Sequence, residues 1–396
     1  MSLIYLDNSA TTQCYPEVAS LMHTLLCEDY GNPSSMHAFG VSAERFLRTS
    51  REQIARTLKC KEGEILFTSG GTESDNLALF GAARAYHRQG RHIVTMCIEH
   101  PAVLEAAAAL EKEGFEVTYL PVDAAGIVRL PDVEAALRDD TILVSVMHVN
   151  NEIGSVQPVA EIGQCIKRRS EKILFHVDAV QGYGKVPLSL SASKIDLLSV
   201  SSHKIHGPKG AGFLYVKKGV RLIPLLYGGG HQGGLRSGTE NVPGYAGTGL
   251  AAEMTFREME VKTARMRGLR DKLLDGLCGA LEDVFVPGAS CSGAGAGDLD
   301  DGTHAPHILP LTVRGVRAEV LLHALEDHGI CVSAGSACAT HHPQTSPVLK
   351  AIGLSEEDAA STVRMSLSEF TTEEEIDATV AAFCEVVPTL RRFKRM

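Results

Sequence analysis

The sequence has no C-x-x-C pair, no apolar run of the roughly 18 residues that span a bilayer, and no excess of positive charge. Its ten cysteines occur singly, which favours buried, reduced thiols over a disulfide framework. The 38 basic and 48 acidic residues give a net charge of −10, which argues against nucleic acid or a membrane as the main partner. The start, "MSLIYLDNSATT", has no basic region followed by an apolar one, so we expect no secretory signal and a cytoplasmic protein.

Short apolar runs alternate with helical patterns from about residue 50 to 250. Runs rich in Ile, Leu and Val that each end in polar residues occur at 64–70, 91–100, 141–152, 172–181 and 195–204. Near-continuous apolar strands separated by helices predict an α/β fold with a parallel sheet covered on both faces. The ligand of such a sheet binds beyond the carboxyl ends of its strands, so we expect the chemistry at that edge.

The pattern changes after the glycine-rich stretch 225–244. Longer charged helical stretches follow, such as 254–277, and they indicate a second, smaller α+β domain. Within it, 286–305 is rich in Gly, Ala, Ser and Asp and is typical of an exposed loop.

The stretch "SGGTESDNLAL" (69–79) is typical of a glycine turn that leaves a strand and opens a helix. Free backbone N–H groups at such a helix start bind anions, and Thr72 could act as the N-cap and donate to a phosphate. An ordinary capped helix is the alternative. The stretch lacks both the P-loop and the Rossmann glycine patterns, which favours a small phosphorylated cofactor over a nucleotide.

Three further side chains follow strand-like runs: His100, Asp178 and Lys204. His100 could be a satisfied core histidine, Asp178 a helix N-cap or ion-pair partner, and Lys204 part of a solvated turn. Together, however, they match one cofactor. A lysine amine forms a Schiff base with the aldehyde of pyridoxal phosphate (PLP), a carboxylate pairs with its pyridinium, and a histidine ring stacks on it.

The chain resembles the cysteine desulfurases of the class-V aminotransferase family, the NifS/IscS-like branch, with selenocysteine lyases as close relatives. The resemblance extends over essentially the whole chain. It rests on "YLDNSATT" (5–12), "GNPSSMHAFG" (31–40), "FTSGGTESDNLAL" (67–79), "EH" (99–100), "MHVNNEIG" (147–154), "HVDAVQ" (176–181), "SSHKIHGPKG" (201–210), "RSGTEN" (236–241), "GSAC" (335–338) and "FTTEEEID" (370–377).

The resemblance implies a PLP-dependent transferase of fold type I, with a mostly parallel seven-stranded sheet in the large domain. We place that domain at 14–255 and the smaller α+β domain at 1–13 and 256–396. It also implies a homodimer, L-cysteine or L-selenocysteine as substrate, and a sulfur-acceptor protein such as an iron–sulfur scaffold or a tRNA-thiolation enzyme as partner. No metal site is expected.

The resemblance also assigns roles to single residues. Lys204 would bind the PLP aldehyde, Asp178 its ring nitrogen, and His100 would stack on the ring and move protons. Gln181 and Asn151 would bond near the phenolic oxygen, and Asn151 would also contact the substrate. The phosphate would be bound by Gly71, Thr72, Ser201 and His203, and by Thr239 of a neighbouring subunit.

The amino acid and its sulfur have further assigned residues. Arg364 would clamp the substrate carboxylate, which suits its planar fork, and Asn32 would assist. Cys338 lies in a small, polar stretch without periodicity, so we expect a mobile loop whose thiolate attacks the substrate sulfur. Nearby, His341 and His342 could lower the Cys338 pKa or be solvated, and solvation is favoured.

The chain departs from the family motifs at several positions. Ser202 stands where glycine is usual, His206 where an aromatic residue is common, and Ser368 with Glu369 where Gly-Arg is frequent. The chain stops at "TLRRFKRM", without the extended tail of scaffold-binding desulfurases. The function that fits best is therefore a cysteine desulfurase, with a selenocysteine lyase as the alternative and a non-catalytic sulfur-relay subunit as a third hypothesis.

Overall fold

The strands alternate with helices through the first half of the chain, as the sequence predicts. The computed structural model describes residues 3–289, 299, 302–334 and 346–394. Its strands are β1 (Ile4–Tyr5), β2 (Ile65–Thr68), β3 (His92–Met96), β4 (Glu116–Leu120), β5 (Thr141–Met147), β6 (Leu174–Asp178), β7 (Leu197–Ser201), β8 (Gly212–Val216), β9 (Val284–Phe285), β10 (Ile308–Val313), β11 (Ile330–Cys331), β12 (Ser333–Ala334) and β13 (Thr362–Ser366).

The helices cover the sheets on both sides. They are α1 (Pro16–Cys27), α2 (Ala38–Leu58), α3 (Gly71–Tyr86), α4 (Pro101–Lys112), α5 (Leu130–Ala136), α6 (Val159–Arg169), α7 (Val242–Phe256), α8 (Met259–Ala280), α9 (Ala318–Glu326), α10 (Pro347–Ala351), α11 (Glu356–Ala360) and α12 (Glu373–Lys394). Across the described stretches, no helix combines the length and the apolar character that crossing a membrane requires.

The large sheet has the strand order β2-β8-β7-β6-β5-β3-β4. Its strands are parallel except β8, which runs antiparallel to both β2 and β7. The predicted α/β fold with a mostly parallel seven-stranded sheet is thus confirmed. The register places Asp178 beside Met147 on β5 and beside Ser199 on β7, so the carboxyl ends of these strands meet at one edge.

Buried apolar side chains on both faces explain why this sheet forms. Every residue of β5, "TILVSVM", is buried, as expected for a central parallel strand. One apolar cluster packs α1, α2, α6 and α7 against the sheet, and a second packs α3 and α4 against its other face. Helix α4 begins with Pro101 directly after His100, because a proline at the first helical position loses no hydrogen bond.

A separate core surrounds the second sheet, which has the order β12-β13-β10-β9 and is antiparallel. This core packs α8, α9 and α12 against the sheet, and Ile4 and Leu6 from the start of the chain join it. The domain boundaries 14–255 and 1–13 with 256–396 stay a prediction. The expected helix over 254–277 is divided, because Glu258 has φ = 57° between α7 and α8.

Two sequence expectations need qualification. The described cysteines are free thiols, but most are half-buried, Cys27 is exposed, and Cys165 is buried. Most of the predicted loop 286–305 lies outside the described residues.

Candidate active site

A cavity of about 480 Å³ lies at the carboxyl edge of the large sheet. The ends of β5, β6 and β7 border it, together with the starts of α3 and α4 and part of β13. Most of the residues that the sequence marks for chemistry line it. These are Gly71, Thr72, His100, Asn151, Asp178, Gln181, Ser201, His203, Lys204 and Arg364.

Lys204 is positioned by the turn that joins β7 to the antiparallel β8. A short 3₁₀ turn, Ser202–Lys204, follows β7 directly and brings the side chain into the cavity. The Lys204 Nζ donates to the backbone oxygens of Ser9 and Ala10, the latter at 2.7 Å. The amine is therefore held by the segment after β1, a contact that the sequence does not reveal.

Asp178 ends β6 and is buried. Its Oδ1 accepts the Val180 N–H at 2.9 Å. Burial raises the pKa of this carboxyl to about 6, while the Val180 hydrogen bond and the Lys204 charge lower it. A buried carboxylate without a full counter-ion gains from a cationic partner, and a protonated pyridine nitrogen is one.

Two more buried carboxyls lie in this region, and sequence reasoning missed both. Asp75 lines the cavity from α3, and Glu99 precedes His100. Burial and the charge of Asp178 raise the pKa of each well above its usual range. The Glu99 Oε1 accepts the Met147 N–H at 2.6 Å. Burial disfavours several negative charges close together. Of the three carboxyls, Asp178 ionises most readily, because the pKa values of Asp75 and Glu99 are raised further by its charge.

His100 caps α4 as well as lining the cavity. Its Nδ1 accepts the Ala102 N–H at 3.1 Å, so the proton of the neutral ring lies on Nε2. Burial, helped by the Lys204 charge, lowers the pKa of this imidazole. A neutral ring that is fixed through one nitrogen leaves the other free to exchange a proton.

The start of α3 forms a backbone cradle, with one correction to the sequence prediction. Gly70, and not Thr72, is the N-cap, because the chain turns there at φ = 147°, where a side chain is strained. Thr72 lies in the first helical turn. A Cβ on Gly71 would come within 2.8 Å of the Val180 Cγ2, so the close packing against Val180 also requires glycine.

Ser201 ends β7 and lies beside this helix start, where a Cβ on Gly71 would come within 3.6 Å of the Ser201 Cβ, and His203 lies in the following turn. The His203 Nδ1 lies 3.1 Å from the Thr11 Oγ1, and burial with the neighbouring lysine charges lowers its pKa to about 4. His203 is therefore neutral at physiological pH and can accept or donate a single hydrogen bond on each nitrogen.

Gln181 completes this edge. Its Nε2 donates to the Ser9 oxygen at 2.9 Å. Its Oε1 is buried and has no hydrogen-bond partner within the described part of the chain. A buried amide oxygen without a partner is costly, which is the pattern expected where a ligand supplies the missing donor.

Arg364 projects from the small sheet into the same cavity. Its Nη2 lies 2.8 Å from the Asp7 Oδ1, and its Nη1 donates to the Asn151 oxygen at 2.9 Å. Its Nε is buried without a partner among residues 3–289, 299, 302–334 and 346–394. The guanidinium is thus fixed in orientation and retains donors for a carboxylate. Asp7, like Asp75 and Glu99, lies in a quoted motif to which the sequence assigns it no role.

Two predicted residues within the described part of the chain, Asn32 and Thr239, do not line this cavity. Asn32 is exposed, and its Oδ1 accepts the Ser34 N–H at 3.0 Å. Thr239 is exposed as well. Cys338 lies outside the described residues, as do His341 and His342.

The donor set fits PLP. The helix start with Thr72 and Ser201 suits a phosphate, Asp178 suits a pyridinium, and the Lys204 amine suits an aldehyde. The Gln181 Oε1, which has no partner within the described part of the chain, lines the same cavity. Among the described residues no three His, Cys, Asp or Glu side chains converge as a metal site requires.

Comparison with known proteins gives a consistent result. The model of the class-V aminotransferase family matches residues 4–379. The chain is 49% identical over 382 residues to "Cysteine desulfurase IscS" of Klebsiella pneumoniae (strain 342), covering 95% of this chain and 91% of that protein.

Solved structures extend the comparison to the fold. A structure titled "NifS-like protein" superimposes with a TM-score of 0.89 at 38% identity, covering 98% of this chain and 100% of the other. A structure titled "SspA in complex with cysteine" superimposes with a TM-score of 0.80 at 33% identity, covering 93% and 100%.

Proposed function

The chain belongs to the class-V aminotransferase family, and from this premise we propose that it is a PLP-dependent cysteine desulfurase. It converts L-cysteine to L-alanine and transfers the sulfur to an enzyme thiol. In the balanced reaction, the substrate C–S bond breaks and an S–S bond to the enzyme sulfur forms. The enzyme thiol becomes a persulfide, and the substrate Cβ gains the hydrogen that the enzyme thiol loses.

The observation that carries the proposal is the convergence of the Lys204 amine, the Asp178 carboxylate and the Arg364 guanidinium in one cavity. They come from β6, from the turn after β7 and from β13, which belong to two different sheets. An amine for the cofactor aldehyde and a guanidinium for the substrate carboxylate are what a PLP enzyme that acts on an amino acid needs.

Each residue has a defined task in this account. PLP, when bound, supplies an electron-withdrawing ring that weakens the bonds at the amino-acid Cα. Asp178 holds the proton of the ring nitrogen in place. Arg364 orients the substrate through its carboxylate. His100, whose Nδ1 is held by the Ala102 N–H and whose pKa is lowered, would take and return a proton at Nε2.

The remaining parts of the proposal rest on the sequence. Cys338 is the thiol that receives the sulfur. Thr239 of a second subunit completes the phosphate site in a homodimer with shared sites. We expect a cytoplasmic enzyme that passes its sulfur to an acceptor of iron–sulfur cluster, thio-cofactor or tRNA-thiolation synthesis.

The alternative functions are less well supported. The relative from Klebsiella pneumoniae bears the name cysteine desulfurase, which favours L-cysteine over L-selenocysteine as the substrate. The intact set of Lys204, Asp178 and His100 is what catalysis requires and what a non-catalytic sulfur-relay subunit would not need to retain.

The test is an assay of alanine formation from L-cysteine and from L-selenocysteine, with and without a thiol reductant that releases the persulfide sulfur. We expect PLP-dependent alanine formation from L-cysteine that the reductant accelerates. Turnover of L-selenocysteine alone would replace the proposal with a selenocysteine lyase, and no alanine from either would reject both enzymatic functions.

A further inference from the structure

His206 and Glu369, two positions at which the chain departs from the family motifs, both contact Tyr15. The rings of Tyr15 and His206 have their centroids 4.8 Å apart, and the Tyr15 hydroxyl donates to the Glu369 Oε1. Phe370 lies edge-on to both rings, at 5.8 Å from Tyr15 and 5.0 Å from His206. Tyr15 and His206 pack with the large sheet, whereas Glu369 and Phe370 follow β13 of the small sheet, so this cluster joins the two parts of the fold.

Glu369 is held from two sides. The Lys262 Nζ on α8 lies 2.7 Å from the Glu369 Oε2, and the two side chains are 23% and 16% exposed. The same ammonium lies 5.8 Å from the centroid of the Tyr15 ring. A pair that is this well shielded is screened less by water than an exposed ion pair. Arg265, one turn further along α8, donates to the Glu369 backbone oxygen at 2.7 Å.

His206 fixes Tyr15 through the backbone and the ring. It is buried, with φ = 62°, and its backbone N–H donates to the Thr12 Oγ1 at 2.8 Å. Its ring Nδ1 donates to the Gln13 oxygen at 2.8 Å, and the Tyr15 N–H donates to the His206 oxygen at 2.9 Å. Burial lowers the pKa of this imidazole to about 4, so it packs as a neutral ring.

These contacts connect Arg364, the proposed substrate-binding residue, to Lys204, the proposed cofactor-binding residue. The segment 7–15 is bound at one end by Arg364 through Asp7 and at the other by Glu369 through Tyr15. Its middle supplies the backbone oxygens of Ser9 and Ala10 to the Lys204 Nζ. The position of this segment therefore sets the position of Lys204 relative to Arg364.

We propose that Tyr15, His206 and Glu369 form a latch between the two sheets that fixes segment 7–15, and through it the spacing of Arg364 and Lys204. All three are positioning residues, because none of them lines the cavity. The inference rests on the proposed function, since it takes Arg364 as the group that binds the substrate carboxylate. Loosening the latch weakens binding of the amino acid in its ground state and its transition state alike, which raises KM and spares kcat.

The first test removes single contacts. Tyr15→Phe deletes the hydroxyl, and Glu369→Gln removes the charge that faces Lys262 but keeps an acceptor. Each is expected to raise KM for L-cysteine about tenfold, the effect of losing one hydrogen bond to a charged group, and to change kcat by less than about twofold. Tyr119→Phe is the matched control, because the Tyr119 hydroxyl donates to Glu111 at 3.2 Å on the protein surface.

The second test exchanges the charges. Glu369→Lys and Lys262→Glu each place like charges side by side, and the double variant restores the pair with its signs reversed. We expect KM to rise in both single variants and to return to within about threefold of the wild type in the double variant. Glu373→Lys is the control, since Glu373 makes an exposed ion pair with Lys272, also on α8.

Folding is followed by circular dichroism, and amino-acid binding is measured separately by titrating PLP absorption with L-alanine. The latch is contradicted if the Tyr15→Phe and Glu369→Gln variants fold and keep the KM and the L-alanine affinity of the wild type. It is also contradicted if the double charge-exchange variant recovers neither the KM nor the L-alanine affinity. A wild-type chain that binds L-alanine but releases no sulfur counts against the proposed function instead, and the L-alanine affinities of the variants still decide on the latch.

Discussion

The Arg364 Nη2 lies 2.8 Å from the Asp7 Oδ1, and this pair connects the small sheet to the segment that contacts Lys204. Because a second contact to the Asn151 oxygen fixes the plane of the guanidinium, the orientation of Arg364 is set before substrate binds. The residue proposed to bind the substrate is thus held by the same segment as the residue proposed to bind the cofactor.

Arg364→Lys keeps the positive charge but loses the planar fork. We expect KM for L-cysteine to rise on the order of tenfold to a hundredfold, since a bidentate charge-assisted contact is lost. The visible absorption of bound PLP stays unchanged, because Arg364 is not assigned to the cofactor. Steady-state kinetics with an absorption spectrum check this, and an unchanged KM would remove Arg364 from the substrate site.

Asp178 gives the protein without cofactor a pH-dependent stability. Since burial raises the pKa of Asp178 to about 6 from an ordinary 3.8, the folded chain holds a proton that the unfolded chain releases. The stabilisation is complete below pH 4 and is lost as pH rises through 6, at up to about 1.4 kcal/mol per pH unit.

Urea unfolding of cofactor-free protein at a series of pH values measures this loss. Other buried carboxyls, such as Glu152, whose pKa burial raises to about 7, add a slope of the same sign. The expected result is therefore a flatter profile in Asp178→Asn than in the wild type between pH 4 and 6. Equal slopes in both proteins would show that Asp178 is not the group that retains the proton.

Gly71→Ala tests the phosphate cradle. The added Cβ would come within 2.8 Å of Val180, which pushes the helix start away from the cavity edge. Overpacking of this kind costs about 1–3 kcal/mol, so we expect the Kd for PLP to rise by about fivefold to a hundredfold.

Gly63→Ala serves as the matched control, because a Cβ at Gly63 has no neighbour within 4 Å. Equilibrium titration with PLP compares the two. Equal affinities for PLP in both variants would place the phosphate away from the start of α3.

Cys338→Ser tests the sulfur-accepting thiol. We expect the variant to retain the colour of bound PLP and to lose persulfide formation and sulfide release from L-cysteine, because serine oxygen does not attack sulfur in this way. Persulfide labelling followed by mass spectrometry measures the product. Cys27→Ser, at an exposed cysteine, is expected to behave as the wild type. Full sulfide release by Cys338→Ser would transfer the role to another group.

The sequence predicted the large sheet and its functional edge because each strand is a short apolar run that ends in polar residues. Asp178 and Lys204 were found in this way, since a charge directly after a buried strand is unusual enough to need a partner. A polar residue after an apolar run does not by itself distinguish Asn150 from Asn151. The structure separates them, because the Asn150 side chain donates to the Ile98 oxygen and accepts the Glu152 N–H, whereas Asn151 lines the cavity.

Contacts between distant segments could not be predicted. Asp7 and Ser9 lie in a motif near the start of the chain, and nothing in their spacing shows that they meet Arg364 and Lys204. Thr72 was expected to cap α3 because threonine is a common N-cap, but the positive φ of Gly70 moves the cap two residues earlier. Glu99 was not distinguished from its neighbour His100 in the sequence, because only the structure shows that its carboxyl is buried and therefore has a raised pKa.

The attachment of PLP to Lys204 is the claim on which the whole account depends, and a second buried amine makes its test sharp. The Lys185 Nζ donates to the Lys204 oxygen at 2.8 Å, and burial lowers the pKa of this amine to about 7, so it too is chemically able to react with an aldehyde. The decisive measurement is reduction of the PLP-loaded protein with borohydride, followed by peptide mass spectrometry. The pyridoxyl mass is expected on Lys204, whereas the same mass on Lys185, or on no lysine, would contradict the attachment.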